Sequence, residues 1–600
     1  MYMMNCNLIT ATSRATSGLR AGRSGVPGLV LSSNSRCGRL IGAGLGSGLG
    51  SGRRGISTRE LDASKGDRER ILILGSGWSG FTLSRQLDPK KYQTVVVSPR
   101  SYFVFTPLLA STAVGTLEFR SALESVRGRG RWRGWGLVGG GWGGWGARNN
   151  GVEFWQGWAD NVDFDKKTIK VEENAIERPK TASTTIEKVG KGRVFEVGYD
   201  KLVVSVGCYS QTFGIEGVRE NALFLKDVGD ARKIRKRILE CFETAALPTS
   251  SESLKKQLLN FAIVGGGPTG VEFAAELFDL CHEDLSTLYP SLTPYIKITI
   301  YDVAPKILPM FDKNLANYAL EHFSRDGIDI KTEHHILGLR KGFPKGSLEG
   351  ENGKGDDGDI GKGFTLNLKE EGDVGVGMCV WSTGLMMNPF IEKALSSVHT
   401  FPAKSAILAS DEKEASEKSE SPENRKWELK RSPKTGGLMV DNFFRVKLAT
   451  RPSASSSSSK SPSQSPAEEQ TQQEAIMNDV FALGDVAVFG DMALPATAQV
   501  ANQEAKWLGK RLNKIYGVEK GAVDESGEKG FTFRNMGVMT YVGGMRAIMQ
   551  TDGKGEIKGR TAWLIWRGAY LTQTISWRNK LLIPMYWVIN WLFGRDISRF

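Results

Sequence analysis

The residues best placed to do chemistry in this chain are glycines. Gly265, Gly267 and Gly270 follow a purely apolar run, Phe261 to Val264, and open a helical pattern that reaches Glu276. Glycine at these places lets a backbone turn tightly, approach a pyrophosphate and pack a helix close to a strand. The helix start then presents unpaired N–H groups and the positive end of its dipole to phosphate oxygens. One such cluster is a weak signal. A second stands upstream at Gly75, Gly77 and Gly80, again after an apolar run, Ile71 to Leu74. Two such turns point to two dinucleotides held face to face, with electrons passing between them.

Other chemistries find little support. The six cysteines (Cys6, Cys37, Cys208, Cys241, Cys281, Cys379) form no CxxC and no metal-ligand spacing, so no metal site is expected. Flavoenzymes that reduce disulfides need a close cysteine pair near the flavin, and none is present. The scatter fits a reducing compartment. Of five histidines, the His334-His335 pair reads as surface.

The elements that would position the glycines follow in order. After the first turn comes an apolar strand, Thr94 to Val97, and then Ser98-Pro99-Arg100. The usual fingerprint places an acid for the ribose there; this chain has Ser98 and Arg100 instead. Short β-like runs over 151–215 end in a buried strand, Tyr199 to Gly207. Arg232 to Ala246 reads as an amphipathic helix with a solvated charged face. After the second turn, Ile296 to Tyr301 reads as a strand ending in Asp302, suited to an adenosine ribose and unfavourable to the 2′-phosphate of NADP. Its distance from the glycines is absorbed by a longer helix and a loop at Tyr289-Pro290. Cys379 to Gly384 reads as a strand entering a turn. Asp479 to Asp485 reads as another, whose Gly484-Asp485 end can set one carboxylate on a flavin ribityl hydroxyl. Leu494 to Glu504 reads as a helix opening near the flavin ring.

At 600 residues the chain should hold three or four domains. Of the net charge of +13, eight units come from arginines in residues 1–59, which hold no acid, leaving +5. The basic balance is therefore poor evidence for nucleic acid, and no nucleic-acid partner is expected. Residues 1–58 have the Arg, Ser and Gly-rich, acid-poor composition of a mitochondrial transit peptide. Residues 127–150 pack ten Gly and four Trp into 24 positions without periodicity, which reads as an insert. Residues 346–363 lack the ligand order of a calcium loop. Residues 403–434 and 450–475 are Ser, Glu, Lys and Pro-rich and read as disordered. Trp563 to Phe600 is basic and Trp-rich, is interrupted by Pro584, and has no run of spanning length. It reads as an amphipathic anchor lying in the plane of a membrane.

The motifs GSGWSG (75–80), SPRSYFVFTPLL (98–109), GGGPTGVE (265–272), LGD (483–485), PATAQVANQE (495–504) and FGRDISRF (593–600) resemble those of the type II, alternative NADH dehydrogenases of fungal mitochondria. The resemblance covers roughly 69–126, 151–400 and 435–600. It implies an α/β protein of two Rossmann-type domains with a C-terminal amphipathic membrane-anchoring region. The FAD domain would comprise 69–260 with 435–449 and 476–530, the NADH domain 261–400, and the anchor and dimerisation region 531–600. Non-covalent FAD would lie on Gly75, Ser76, Gly77, Trp78, Gly80, Ser98, Arg100, Thr106, Pro107, Gly484, Asp485, Ala498 and Gln499. NADH, the substrate, would lie on Gly265, Gly266, Gly267, Pro268, Thr269, Gly270, Glu272 and Asp302, with Gly384 at the domain's end. Glu272, on the first helical turn, would serve the nicotinamide half. Gln499 and Gln503 would face ubiquinone. The implied reaction is non-proton-pumping NADH:ubiquinone oxidoreduction by a peripheral homodimer on the mitochondrial inner membrane, at its matrix face. The alternatives are another quinone- or disulfide-type flavoreductase, or an apoptosis-inducing-factor-like flavoprotein.

Overall fold

The computed structural model describes residues 57–127, 151–174, 192–347, 362–395, 401–402, 405–408, 426–450, 473–490, 494–517, 528–551 and 555–598. Residues 1–56 of the expected transit segment, residues 128–150 of the Gly/Trp insert and most of the Ser-rich inserts lie outside these residues. From Thr58 onward the chain forms one compact unit.

Strand β1 (Glu69–Leu74) leads into helix α1 (Trp78–Gln86) and strand β2 (Tyr92–Ser98). Both strands are buried on both faces, as their unbroken Ile, Leu and Val runs require. β3 (Val152–Asp163) pairs parallel with β2, then β4 (Thr168–Glu173) and β5 (Val194–Gly198) fold back antiparallel. β6 (Lys201–Val204) returns to pair parallel with β1.

The second fold starts earlier than expected at residue 261. β7 (Leu223–Phe224) is the edge strand of its sheet. Helix α2 (Val228–Ala245) follows, then β8 (Asn260–Val264), α3 (Pro268–Asp279), β9 (Lys297–Tyr301), β10 (Ile328–Lys331) and β11 (Met378–Trp381). All five strands run parallel in the order β7-β11-β8-β9-β10. The extra length before Asp302 is a π-helical stretch, Leu280–Leu285, with a 3₁₀ segment at Pro290–Tyr295. The charges of α2 are not simply solvated. Arg232 lies 4.9 Å over the Phe119 ring, and Arg237 donates to the Gly377 carbonyl at 2.8 Å.

β12 (Glu474–Ala482) returns to the first sheet beside β6, and α4 (Ala498–Ile515) packs on α1. Two pieces of the expected disordered insert 403–434 belong to this sheet. Ala406–Leu408 pairs with β12, and Trp427–Leu429 pairs with Arg445–Thr450. Trp427 is fully buried, and that apolar anchor orders a segment whose neighbours look like linker.

A C-terminal layer completes the unit: β13 (Val538–Gly543), β14 (Arg546–Thr551), β15 (Gly555–Gly559), α5 (Arg560–Gln573) and α6 (Trp577–Phe593). Pro584 does not interrupt the tail; α6 runs through it. Among the described residues, no helix is long and apolar enough to cross a membrane.

Candidate active site

The two glycine turns have the same construction. Gly75 has φ +109° and Gly265 φ +114°, values that disfavour any side chain. Each donates its N–H to the neighbouring strand, Gly75 to Val97 and Gly265 to Tyr301, both at 2.8 Å. A Cβ on Gly80 would lie 2.1 Å from the Gly75 carbonyl oxygen, and one on Gly270 would lie 2.0 Å from that of Gly265. The third glycine thus lets helix and turn touch. A Cβ on Gly77 or Gly267 would meet nothing within 4 Å. These residues cap α1 and α3 in extended conformation without side-chain hydrogen bonds, so no capping side chain occupies the first N–H groups of either helix. Pro268 and Thr269 open α3, where proline's missing N–H costs nothing. Both cradles therefore fit a dinucleotide.

The region after β2 is tied to the first turn. The Ser76 and Ser98 hydroxyls share a hydrogen bond at 2.9 Å, and Trp78 donates its indole N–H to Thr106 at 3.0 Å, beside Pro107. Arg100 pairs with Asp227 at 3.0 Å, so its charge is already balanced. Asp302 is not a bare ribose acceptor. It accepts from Gly266 N at 2.5 Å and from Ala304 N at 2.7 Å, fixing the second turn. Gly384, φ +73°, follows β11.

Gly484 and Asp485 close the far end of the first fold. Gly484 N donates to Glu504 Oε2 at 2.5 Å, and Asp485 accepts from the Cys208 thiol at 2.8 Å. Burial raises Glu504 to about 8. It also pushes the Cys208 thiol up to about 11, against the pull of the Lys226 ammonium.

Gln499 and Gln503, one turn apart on α4 behind Ala498, do not project freely toward a quinone. Gln499 donates to the Gly537 carbonyl at 3.3 Å and accepts from Met536 N at 3.1 Å. Gln503 donates to the Arg534 carbonyl at 2.9 Å and accepts from Arg534 N at 3.1 Å. Each amide behaves like an added peptide group for the segment entering β13.

Glu272 is the fifth residue of α3, on its second turn rather than its first. Its Oε1 accepts from Thr540 Oγ1 and Tyr541 N, both at 3.2 Å, and from the Trp566 indole at 3.4 Å. Gln499, Gln503 and Glu272 are thus brought together along one stretch of chain, Arg534 to Tyr541. Two further acids on α3 are buried, and reading the motifs alone passed over them. Glu276 accepts from Ser111 at 2.6 Å and Thr116 at 2.7 Å; Asp279 accepts from the Tyr541 hydroxyl at 2.6 Å. The spacing 272, 276, 279 places all three on one helix face and was legible as such. Burial raises Glu272 to about 8 and Asp279 to about 7.

The profile of the pyridine nucleotide-disulphide oxidoreductases matches residues 69–400, and that of the NDH2 C-terminal domain matches residues 536–596. A Dictyostelium discoideum protein named "Probable NADH dehydrogenase" is 32% identical over 89% of this chain and 92% of its own length. The internal alternative NAD(P)H-ubiquinone oxidoreductase A1 of Solanum tuberosum is 31% identical over 90% of each. The chain belongs to the type II NADH dehydrogenases. Such an enzyme is an FAD-dependent NADH:quinone oxidoreductase that pumps no protons. Membership carries no fungal origin, since these relatives come from a slime mould and a plant. By structure, this type II dehydrogenase resembles NDH2 of Plasmodium falciparum in complex with NADH, with TM-score 0.64 at 23% identity over 88% of this chain and 100% of that one. The sulfide:quinone oxidoreductase of Aquifex aeolicus shares the fold, with TM-score 0.50 at 13% identity over 88% and 96%. The described cysteines Cys208, Cys241, Cys281 and Cys379 are all free.

Proposed function

We propose that the first glycine turn holds FAD, the second holds NADH, and the Arg534–Tyr541 stretch sets the spacing between them. The observation that carries this is the tethering of Gln499 and Gln503 from the first fold, and Glu272 from the second, to that one stretch. Bound FAD supplies the two-electron chemistry between NADH and the quinone. The chain contributes binding and orientation. Gly75, Gly77 and Gly80 admit the flavin nucleotide's pyrophosphate, and Ser98 and Arg100 border its ribose. Asp485 takes the ribityl chain. Gly265, Gly267 and Gly270 admit the pyrophosphate of NADH, and Asp302 its ribose. Glu272, protonated near neutral pH, stands ready to hold or release a proton beside the nicotinamide half.

The acceptor is ubiquinone, reached from a membrane surface on which α5 and α6 lie. Trp591 is 81% exposed and Phe593 82%, alongside exposed Trp577, Leu581, Met585, Val588 and Leu592. Arg567 is sandwiched between Trp563 and Trp587 at 4.1 and 4.4 Å, a pairing suited to the headgroup level. The opposite face of this layer, with Trp566 and Ile583, is buried against the core. The membrane is the mitochondrial inner membrane. Relatives carry both internal and external names; the matrix face is favoured because no apolar run of spanning length follows the Arg-rich residues 1–59. A homodimer through the C-terminal layer completes the proposal.

The test uses full-length protein on liposomes with NADH and a short-chain quinone. Flavin absorbance should bleach with NADH and recover with quinone. Bleaching without recovery would overturn the quinone-reductase reading.

A further inference from the structure

Phe213 has a strained backbone that its side chain does not repay. Six described non-glycine residues have positive φ, among them Leu308, Phe444 and Met545. Leu308 and Phe444 are fully buried, and Met545 turns the tight hairpin between β13 and β14. Phe213, φ +54°, is followed by Gly214 at +71°, and Ile215 N donates to the Thr212 carbonyl at 3.0 Å. Positive φ at both central residues marks a type I′ turn, whose first central place favours Asn, Asp or Gly. A phenylalanine there is a genuine outlier, and the residue is 57% exposed. Strain kept without burial points to function.

The turn is pinned to the second nucleotide fold. Trp381 donates its indole N–H to the Gln211 carbonyl at 2.9 Å, and Gln211 N donates to the Gly384 carbonyl at 3.3 Å. The ring covers Gly384 so closely that a Cβ there would lie 2.8 Å from it. Gly384 ends the Ser382-Thr383-Gly384 turn after β11. Ser382 Oγ and Thr383 Cβ stand 3.0 Å from a Cβ built on Gly265. Phe213 thus sits at the carboxyl end of β11, on one side of β8. Asp302 ends β9 on the other side. A dinucleotide with its pyrophosphate on the Gly265 turn and its adenosine at Asp302 must lay its nicotinamide half over the end of β11.

We propose that Phe213 is an aromatic contact for the nicotinamide half of NADH, held in readiness by the strained turn. This rests on the assignment of the second fold to NADH. The decisive variant is Phe213→Asn, which suits the turn and removes the ring. FAD content and thermal midpoint should be unchanged or higher, while KM for NADH rises roughly tenfold, the loss of one aromatic contact. Competitive inhibition by ADP-ribose, which lacks nicotinamide, should be unaltered, and Phe213→Tyr should restore KM. A wild-type KM in Phe213→Asn overturns the proposal, as does an equal loss of ADP-ribose affinity. Asp302→Asn run alongside separates the two failures. If its NADPH to NADH preference shifts while Phe213→Asn stays silent, only the role of Phe213 falls. If neither responds, the NADH assignment falls with it.

Discussion

Ser205 and Ser382 hold the same station in the two nucleotide folds. The Ser205 hydroxyl donates to the Leu74 carbonyl at 2.8 Å and the Ser382 hydroxyl to the Val264 carbonyl at 2.9 Å. Each Oγ stands 2.7 Å from where a Cβ on the third glycine of its turn would fall. The turns are therefore closed from below by matched pegs, and neither can accept a methyl group.

Separate loss of the two nucleotides is the first expected outcome. Gly80→Ala should lower the flavin-to-protein ratio of purified enzyme by more than half. Gly270→Ala should leave flavin bound and raise the NADH concentration needed to bleach it by about tenfold or more, as a clash with a backbone carbonyl implies. Flavin absorbance read before and after NADH addition checks both.

Asp302 should govern the choice between NADH and NADPH. Its carboxylate already accepts two backbone N–H groups, yet its charge still opposes a 2′-phosphate. Asp302→Asn should bring a weaker NADPH rate close to the NADH rate. An unchanged ratio in steady-state assays would remove Asp302 from the ribose site.

The buried acids predict a pH dependence of stability. Glu272 is raised to about 8 and Asp279 to about 7. In the folded protein they keep protons that the unfolded chain has already lost, so folding binds protons. Stability is then full below the ordinary carboxylate range and falls as pH rises toward 7 and 8, by at most about 1.4 kcal/mol per pH unit per group. Thermal midpoints should drop between pH 5 and pH 8, and Glu272→Gln should flatten that drop. Equal shifts of Glu272→Gln at both pH values would contradict it.

Much of this was legible in the sequence. Runs such as Ile71–Leu74 and Phe261–Val264 read as strands because a glycine turn and a helical pattern follow each. What escaped were contacts between distant segments. Nothing local to Gln499 says that it grips Met536 and Gly537, and nothing local to Arg100 names Asp227. Trp427 looked like one more residue of a linker because its partner strand, Arg445–Thr450, lies beyond the motif. The acid row 272, 276, 279 could have been read, since helical period alone aligns it.

Loosening the Arg534–Tyr541 stretch should separate the two half-reactions. Gln499→Ala with Gln503→Ala removes four side-chain bonds to it, each worth about 1 kcal/mol net. Bleaching by NADH should slow, with FAD content kept, in stopped-flow traces. Unchanged bleaching and reoxidation would show that the stretch positions nothing.

The exposed tail residues should govern membrane partition. Trp591→Ser with Phe593→Ser should reduce co-sedimentation with anionic vesicles at least tenfold, since burying either ring is worth roughly 2 kcal/mol. Soluble NADH-dependent flavin bleaching should remain.

β13 and its approach carry no nucleotide, yet three side chains from both nucleotide folds fasten to them. They work as a tie-rod. Any rocking of one lobe against the other loads this stretch, which is irregular through Gly537 (φ +92°) and extended only from Val538. Whatever deforms the C-terminal layer would then reach both nucleotide folds at once without touching either glycine turn.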